Sequence, residues 1–214
     1  MTNTSTETTR FVVRSIATTC VENEDYFGQL DAVVGDGDFG FSLARGFEKV
    51  LESLGGYPPE SPAALLQAVA MTISSSIGGT SGPIWGTAFL RASTSVRGVD
   101  DLDGPAVVGM LRAAAQGIMA RGKAELGEKT LLDALVPATD ALESALVDTS
   151  DSSVLVERVA RAMREAAEAT STLQAMRGRA SYSGARSIGS PDAGAIALAV
   201  IAERLAEQWP QHPA

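Results

Sequence analysis

Apolar residues recur every three or four positions along most of the chain, and no segment sustains the alternation of a half-buried strand. This periodicity predicts an all-α protein: eight amphipathic helices over roughly 9–27, 39–54, 61–76, 83–97, 104–125, 130–147, 151–174 and 193–208. The stretch 11–13, FVV, is partly β-branched but runs on into a helical pattern. Residues 1–10, MTNTSTETTR, are polar and read as a flexible N-terminal arm, leaving 11–214 as one domain.

The connections between these helices are of two kinds. The second, fourth and sixth, GGYPPES, RGVDDLDGP and DTSDSS, are ordinary turn and capping chemistry. The first, third, fifth and seventh, DAVVGDGDFG, GGTSGP, GEKTLLDA and GRASYSGARSIGSPDAG, combine glycine with acids, hydroxyls or basic residues. If consecutive helices run antiparallel, odd connections share one end of an up-and-down bundle and even ones the other. The four unusual loops then converge on one composite site.

Composition narrows the chemistry. With 214 residues, 45% of them hydrophobic, the chain is long enough to bury a core. A net charge of -9 argues against a nucleic-acid partner. No apolar run approaches the ~18 residues of a membrane span. The start of the chain lacks the apolar stretch of a signal peptide, and Cys20 is the lone cysteine; both lead us to expect a cytoplasmic protein. The one histidine, His212, lies at the tail, which disfavours Ser-His-Asp chemistry, histidine-ligated zinc and a phosphohistidine on this chain. A metal would have to be hard and oxygen-bound.

In the first loop Asp31, Asp36 and Asp38 stand at i, i+5 and i+7 among glycines that allow a tight fold. They are candidates for holding one or two cations; alternatively Asp36 or Asp38 caps the next helix. In the third loop Gly79, Thr80 and Ser81 precede a helix start, a setting that suits an anion, although a simple helix stop and restart would read the same way. The fifth loop carries Lys129 and Thr130, with Asp133 as an ordinary first-turn cap. The seventh brings Arg179, Ser181, Tyr182, Arg186, Ser187 and Asp192; its arginines suit phosphate.

These four motifs, LDAVVGDGDFG (30–40), GGTSGPIWGT (78–87), GEKTLLDAL (127–135) and GRASYSGARSIGSPDAGA (178–195), together resemble the L subunit of dihydroxyacetone kinase across essentially the whole chain. The resemblance implies an all-α up-and-down barrel of eight helices that binds ADP or ATP and two Mg2+ ions at one rim. It implies that Asp31, Asp36 and Asp38 are the metal ligands and that Gly79, Thr80 and Ser81 form the phosphate loop. Thr130 and Leu131 would contact the nucleotide, and Arg179 and Asp192 would belong to a closing loop beside it. The hydroxyketone, dihydroxyacetone or erythrulose, would be held by a separate K-type subunit. The phosphoryl donor would be ATP, or a resident ADP recharged by a phosphocarrier protein. The sequence departs from the family pattern at Phe39 and Ser190, where that pattern has histidine, and at Ala185 and Ala193. We expect Phe39 to line the acceptor side of the rim. Two other readings are an ADP-holding regulatory module acting on a protein partner and a helical-barrel lipid binder; the acid cluster argues against the second.

Overall fold

The computed structural model describes residues 4–211, so His212 and the first three residues of the expected arm lie outside the described residues. Among the described residues the fold is all helical, with nine α-helices: α1 Thr4–Glu22, α2 Glu24–Ala32, α3 Phe39–Ser53, α4 Pro62–Ser76, α5 Ser81–Ser95, α6 Gly104–Gly122, α7 Leu132–Asp148, α8 Ser152–Ala169 and α9 Ala193–Gln208. Short 3-10 turns follow α3, α8 and α9, and a longer one spans Arg179–Ser187.

The count differs from eight because the first expected helix is two. The chain breaks at Asn23, whose backbone leaves the helical region (φ -108°, ψ 20°). α2 then continues to Ala32, so Asp31 stands on a helix end rather than in a loop. The polar arm is corrected as well, for residues 4–10 are the first turns of α1. Their polarity is internal: Ser5, Thr6 and Thr9 are buried, and the Thr9 hydroxyl donates to the Ser5 carbonyl at 2.7 Å. Ser5 Oγ donates to Asp101 and accepts from Leu102 N, and Arg10 donates to the Leu54 carbonyl. The arm thus braces two even-numbered connections.

From α3 onward each helix packs on its predecessor, α3 also packs on α1, and α9 closes the circle against α1. Antiparallel order follows from the pairs that meet: Gly40 beside Gly28, Ser93 bonded to the Ala63 carbonyl, and Gly122 beside Ile84. The core has two large lobes and a small third cluster of Val108, Leu142, Ala145 and Leu155. One lobe, around Phe27, Leu43, Phe47, Leu65, Ile73 and Trp85, lies among α1 to α5 and α9. The other, around Ile118, Leu132, Met163 and Ile196, lies among α6 to α9. Leu30, Leu198 and Val200 touch both. This arrangement brings the connections 33–38, 77–80, 123–131 and 170–192 to a common rim. No helix among the described residues is long and apolar enough to cross a membrane.

Candidate functional site

The rim is built around one carboxylate. Asp31 Oδ2 accepts the backbone N–H groups of Gly37 at 2.9 Å and Phe39 at 3.4 Å, while Gly35 N donates to the Asp31 carbonyl at 2.6 Å. The chain leaving α2 therefore curls around Asp31. Glycine is required at Gly37 by its φ of 77°, and a side chain at Gly35 would run into that of Asp31. The curl brings ligand oxygens of Asp31, Asp36 and Asp38 within 4.8 Å of one another. Asp38 precedes α3 but makes no capping bond, so the capping alternative fails for it. Asp36 and Asp38 instead both face Arg179, whose Nη1 lies 3.0 Å from Asp38 and also pairs with Asp36. The structure thus joins four of the expected residues across 141 positions of sequence.

Three of the four helix starts at the rim differ from those at the far end, the exception being α9, which Asp192 caps. At the far end α4, α6 and α8 are capped by the side chains of Ser61, Asp103 and Asp151. At the rim the residues before α3, α5 and α7, namely Asp38, Thr80 and Leu131, cap with no side chain. Phe39 N of α3 is taken by Asp31 and Leu132 N of α7 by Thr130 Oγ1, so the start of α5 is the one that offers its first-turn N–H groups and positive dipole end to an anion. Gly79 (φ 63°) turns the chain into α5, and Gly79 and Thr80 are exposed while Ser81 is partly buried.

The fifth and seventh connections lock together. Asp133 accepts Gly127 N at 2.5 Å and Thr130 N at 2.7 Å, and so bends the segment rather than only capping α7. Leu131 packs beside Gly194, next to Asp192, which caps α9 through Ala195 N at 2.8 Å. The Lys129 ammonium is buried and donates to the carbonyls of Leu173, Ser187 and Ser190. All three of its protons are used internally, so Lys129 is not available to a phosphate. The Phe39 ring lies 6.3 Å from that of Phe27 and packs in part against the first core lobe while remaining partly exposed. Ser190 contributes its carbonyl to Lys129.

Burial pushes the Asp192 carboxyl up from its ordinary 3.8 to about 6, with Asp133 adding to the rise and Ala195 N–H and Lys129 opposing it. The folded state thus holds this proton more tightly than the unfolded chain. The stabilisation is complete below 3.8 and is lost as the pH rises through about 6. A neutral asparagine side chain at this position would still cap α9. Asp192→Asn should therefore raise the stability of the ligand-free protein at pH 7.5 by about 1–2 kcal/mol, a discounted figure because the residue is only partly buried. Urea unfolding at pH 5 and 7.5 checks this. A mutant less stable than wild type at pH 7.5 would contradict it.

Residues 33–207 match the DAK2 domain family. The chain is 38% identical over 182 residues to the Escherichia coli protein named PEP-dependent dihydroxyacetone kinase, ADP-binding subunit DhaL, covering 85% of this chain and 87% of that one. It is 35% identical over 198 residues to the L-erythrulose 1-kinase of Mycolicibacterium smegmatis, covering 92% of this chain but 34% of that longer one. In fold it is similar to the dihydroxyacetone kinase of C. freundii solved in complex with AMP-PNP and Mg2+, with a TM-score of 0.75 and 24% identity, over 94% of this chain and 34% of that one. The chain spans about a third of the length of that structure. The four rim motifs, the closed ring of helices and these matches together place the chain in the DAK2 domain family, alongside the L subunits of dihydroxyacetone kinases.

Proposed function

We propose that this chain is the nucleotide- and Mg2+-binding subunit of a two-component kinase that transfers a phosphoryl group to a short hydroxyketone. The observation that carries this reading is the meeting of Asp31, Asp36 and Asp38 with Arg179 at one point of the rim. Three carboxylates this close are a donor set for a hard divalent cation. Bound there, Mg2+ would neutralise phosphate oxygens. In the proposal, Asp31 is held by two backbone N–H groups and orients the cluster, while Asp36 and Asp38 complete it. Arg179 adds a positive charge, and the uncapped start of α5 at Gly79, Thr80 and Ser81 offers N–H donors to phosphate. Thr130, Leu131 and Asp192 border the nucleotide on the side of α7 and α9. Phosphoryl transfer depends on positioning and charge neutralisation, which these residues can supply without a covalent group.

The acceptor, dihydroxyacetone or erythrulose, is assigned to a K-type partner subunit, because the described residues contain no histidine to anchor a carbonyl. The E. coli relative is named PEP-dependent, which favours a resident ADP recharged by a phosphocarrier protein over exchange with free ATP. The expected setting is cytoplasmic. Titration calorimetry should show ADP binding with Mg2+ and none with chelator, and the chain alone should turn over neither ketose until a K-type subunit is added. Equal ADP affinity in chelator would overturn the metal assignment. Robust turnover by the isolated chain would overturn the division of labour.

A further inference from the structure

We infer that Lys129, assisted by Glu128, is a positioning residue that holds the segment 173–190 so that Arg179 reaches the acid cluster; the inference rests on the functional reading above. Lys129 is a non-glycine residue in the left-handed region (φ 61°) and is 2% exposed. A strained backbone and a buried charge are both unfavourable unless the surroundings fix them. Here the surroundings do so. The ammonium donates to the Leu173 carbonyl at 3.1 Å, to that of Ser190 at 2.6 Å, and to that of Ser187. One side chain thus ties the beginning of the segment to its end. Beside it, Glu128 takes the Arg177 guanidinium bidentately at 2.6 and 2.7 Å, and its carbonyl accepts Met176 N at 3.0 Å.

Within the segment, Ala175 N donates to Ser187 Oγ at 2.9 Å, which closes the base of the loop. The tip lies between Gly178 and Gly184, both at positive φ (61° and 53°). From the tip, Arg179 reaches Asp36 and Asp38, and Ser183 Oγ donates to the Val34 carbonyl at 3.0 Å. A base fixed by Lys129 and Glu128, two glycine joints and a tip on the acid loop form one mechanical path. The Arg179 side chain is 56% exposed, so its placement depends on that base.

The test uses the full chain with Lys129→Met, Arg177→Met and each of these combined with Arg179→Met. Amide hydrogen exchange is followed without ligand, and Mg·ADP binding by calorimetry. Lys129→Met should speed exchange across 178–190 by at least about tenfold, leave the helix cores unchanged and weaken Mg·ADP about tenfold. In the Arg179→Met background the same change should weaken Mg·ADP less than about twofold, because two residues acting through one contact are not additive. Unchanged exchange across 178–190 would overturn the inference. So would a full tenfold loss in the Arg179→Met background, which would mean that Lys129 acts through overall stability. If Lys129→Met does not fold, Arg177→Met, which removes an exposed pair, carries the same comparison, and the same two results would overturn the inference. Absence of Mg2+-dependent ADP binding in the wild type would instead defeat the functional reading, and the exchange result would still decide whether Lys129 holds the loop.

Discussion

Asp36→Asn is expected to weaken Mg2+-dependent ADP binding by at least about a hundredfold, or 2.8 kcal/mol. Oxygens within 4.8 Å of one another repel by roughly 1 to 3.5 kcal/mol per pair, between the dielectric of water and that of a protein surface. Arg179 offsets this in the ligand-free protein. The substitution removes one anionic ligand and part of the attraction for a divalent cation. It also removes repulsion, so the mutant should melt no lower than wild type in chelator. The two effects have opposite signs, which separates a lost ligand from a damaged fold. Calorimetry with Mg2+ and a thermal melt in chelator measure them. An affinity within about threefold of wild type would show that Asp36 is not part of a metal site.

Gly40→Ala should cost about 3 kcal/mol of stability, at the high end for overpacking. A Cβ at Gly40 would lie 2.5 Å from Gly28 N and closer still to the Glu24 carbonyl oxygen. Both are backbone atoms of α2, so no rotamer change relieves the clash and α2 must part from α3. Phe27 and Leu43, fully buried near this contact, would lose packing, and the acid loop joins the same two helices. Gly55→Ala is the matched control: nothing lies within 4 Å of its added Cβ, and a change within about 1 kcal/mol is expected there. Urea midpoints compare the two. A loss below about 1 kcal/mol for Gly40→Ala would mean that the α2–α3 contact yields easily.

Most of the helices and the shared rim were legible because helical periodicity and loop composition are local signals. α9 begins and ends where the pattern placed it, and the odd loops do meet. Asp31, Asp36 and Asp38 were legible as a group because a short stretch rich in glycine suffices to bring them together. Four features were not legible. The Asn23 break lies inside a continuous apolar pattern, so periodicity ran through it. The buried hydroxyls of α1 read as solvated polarity, since sequence does not reveal that Thr9 and Thr19 bond to their own helix and Ser5 to the connection at Asp101. Lys129 has partners 44, 58 and 61 residues away, and no short-range pattern distinguishes a buried tether from a phosphate donor. The fourth is the ring contact of Phe39 with Phe27, which lies on another helix and of which the loop motif gives no sign.

The edge contact between the Phe11 and Trp209 rings, 6.1 Å apart, joins the first half of α1 to the end of α9 on the side remote from the acids. The ring of helices is therefore nearly a closed circuit with a nick in it, and the nick faces away from the chemistry. Any polypeptide tethered at either terminus would hang from the blunt end of the molecule. The rim would stay open to a second macromolecule, with the whole length of the bundle as a spacer between tether and docking face.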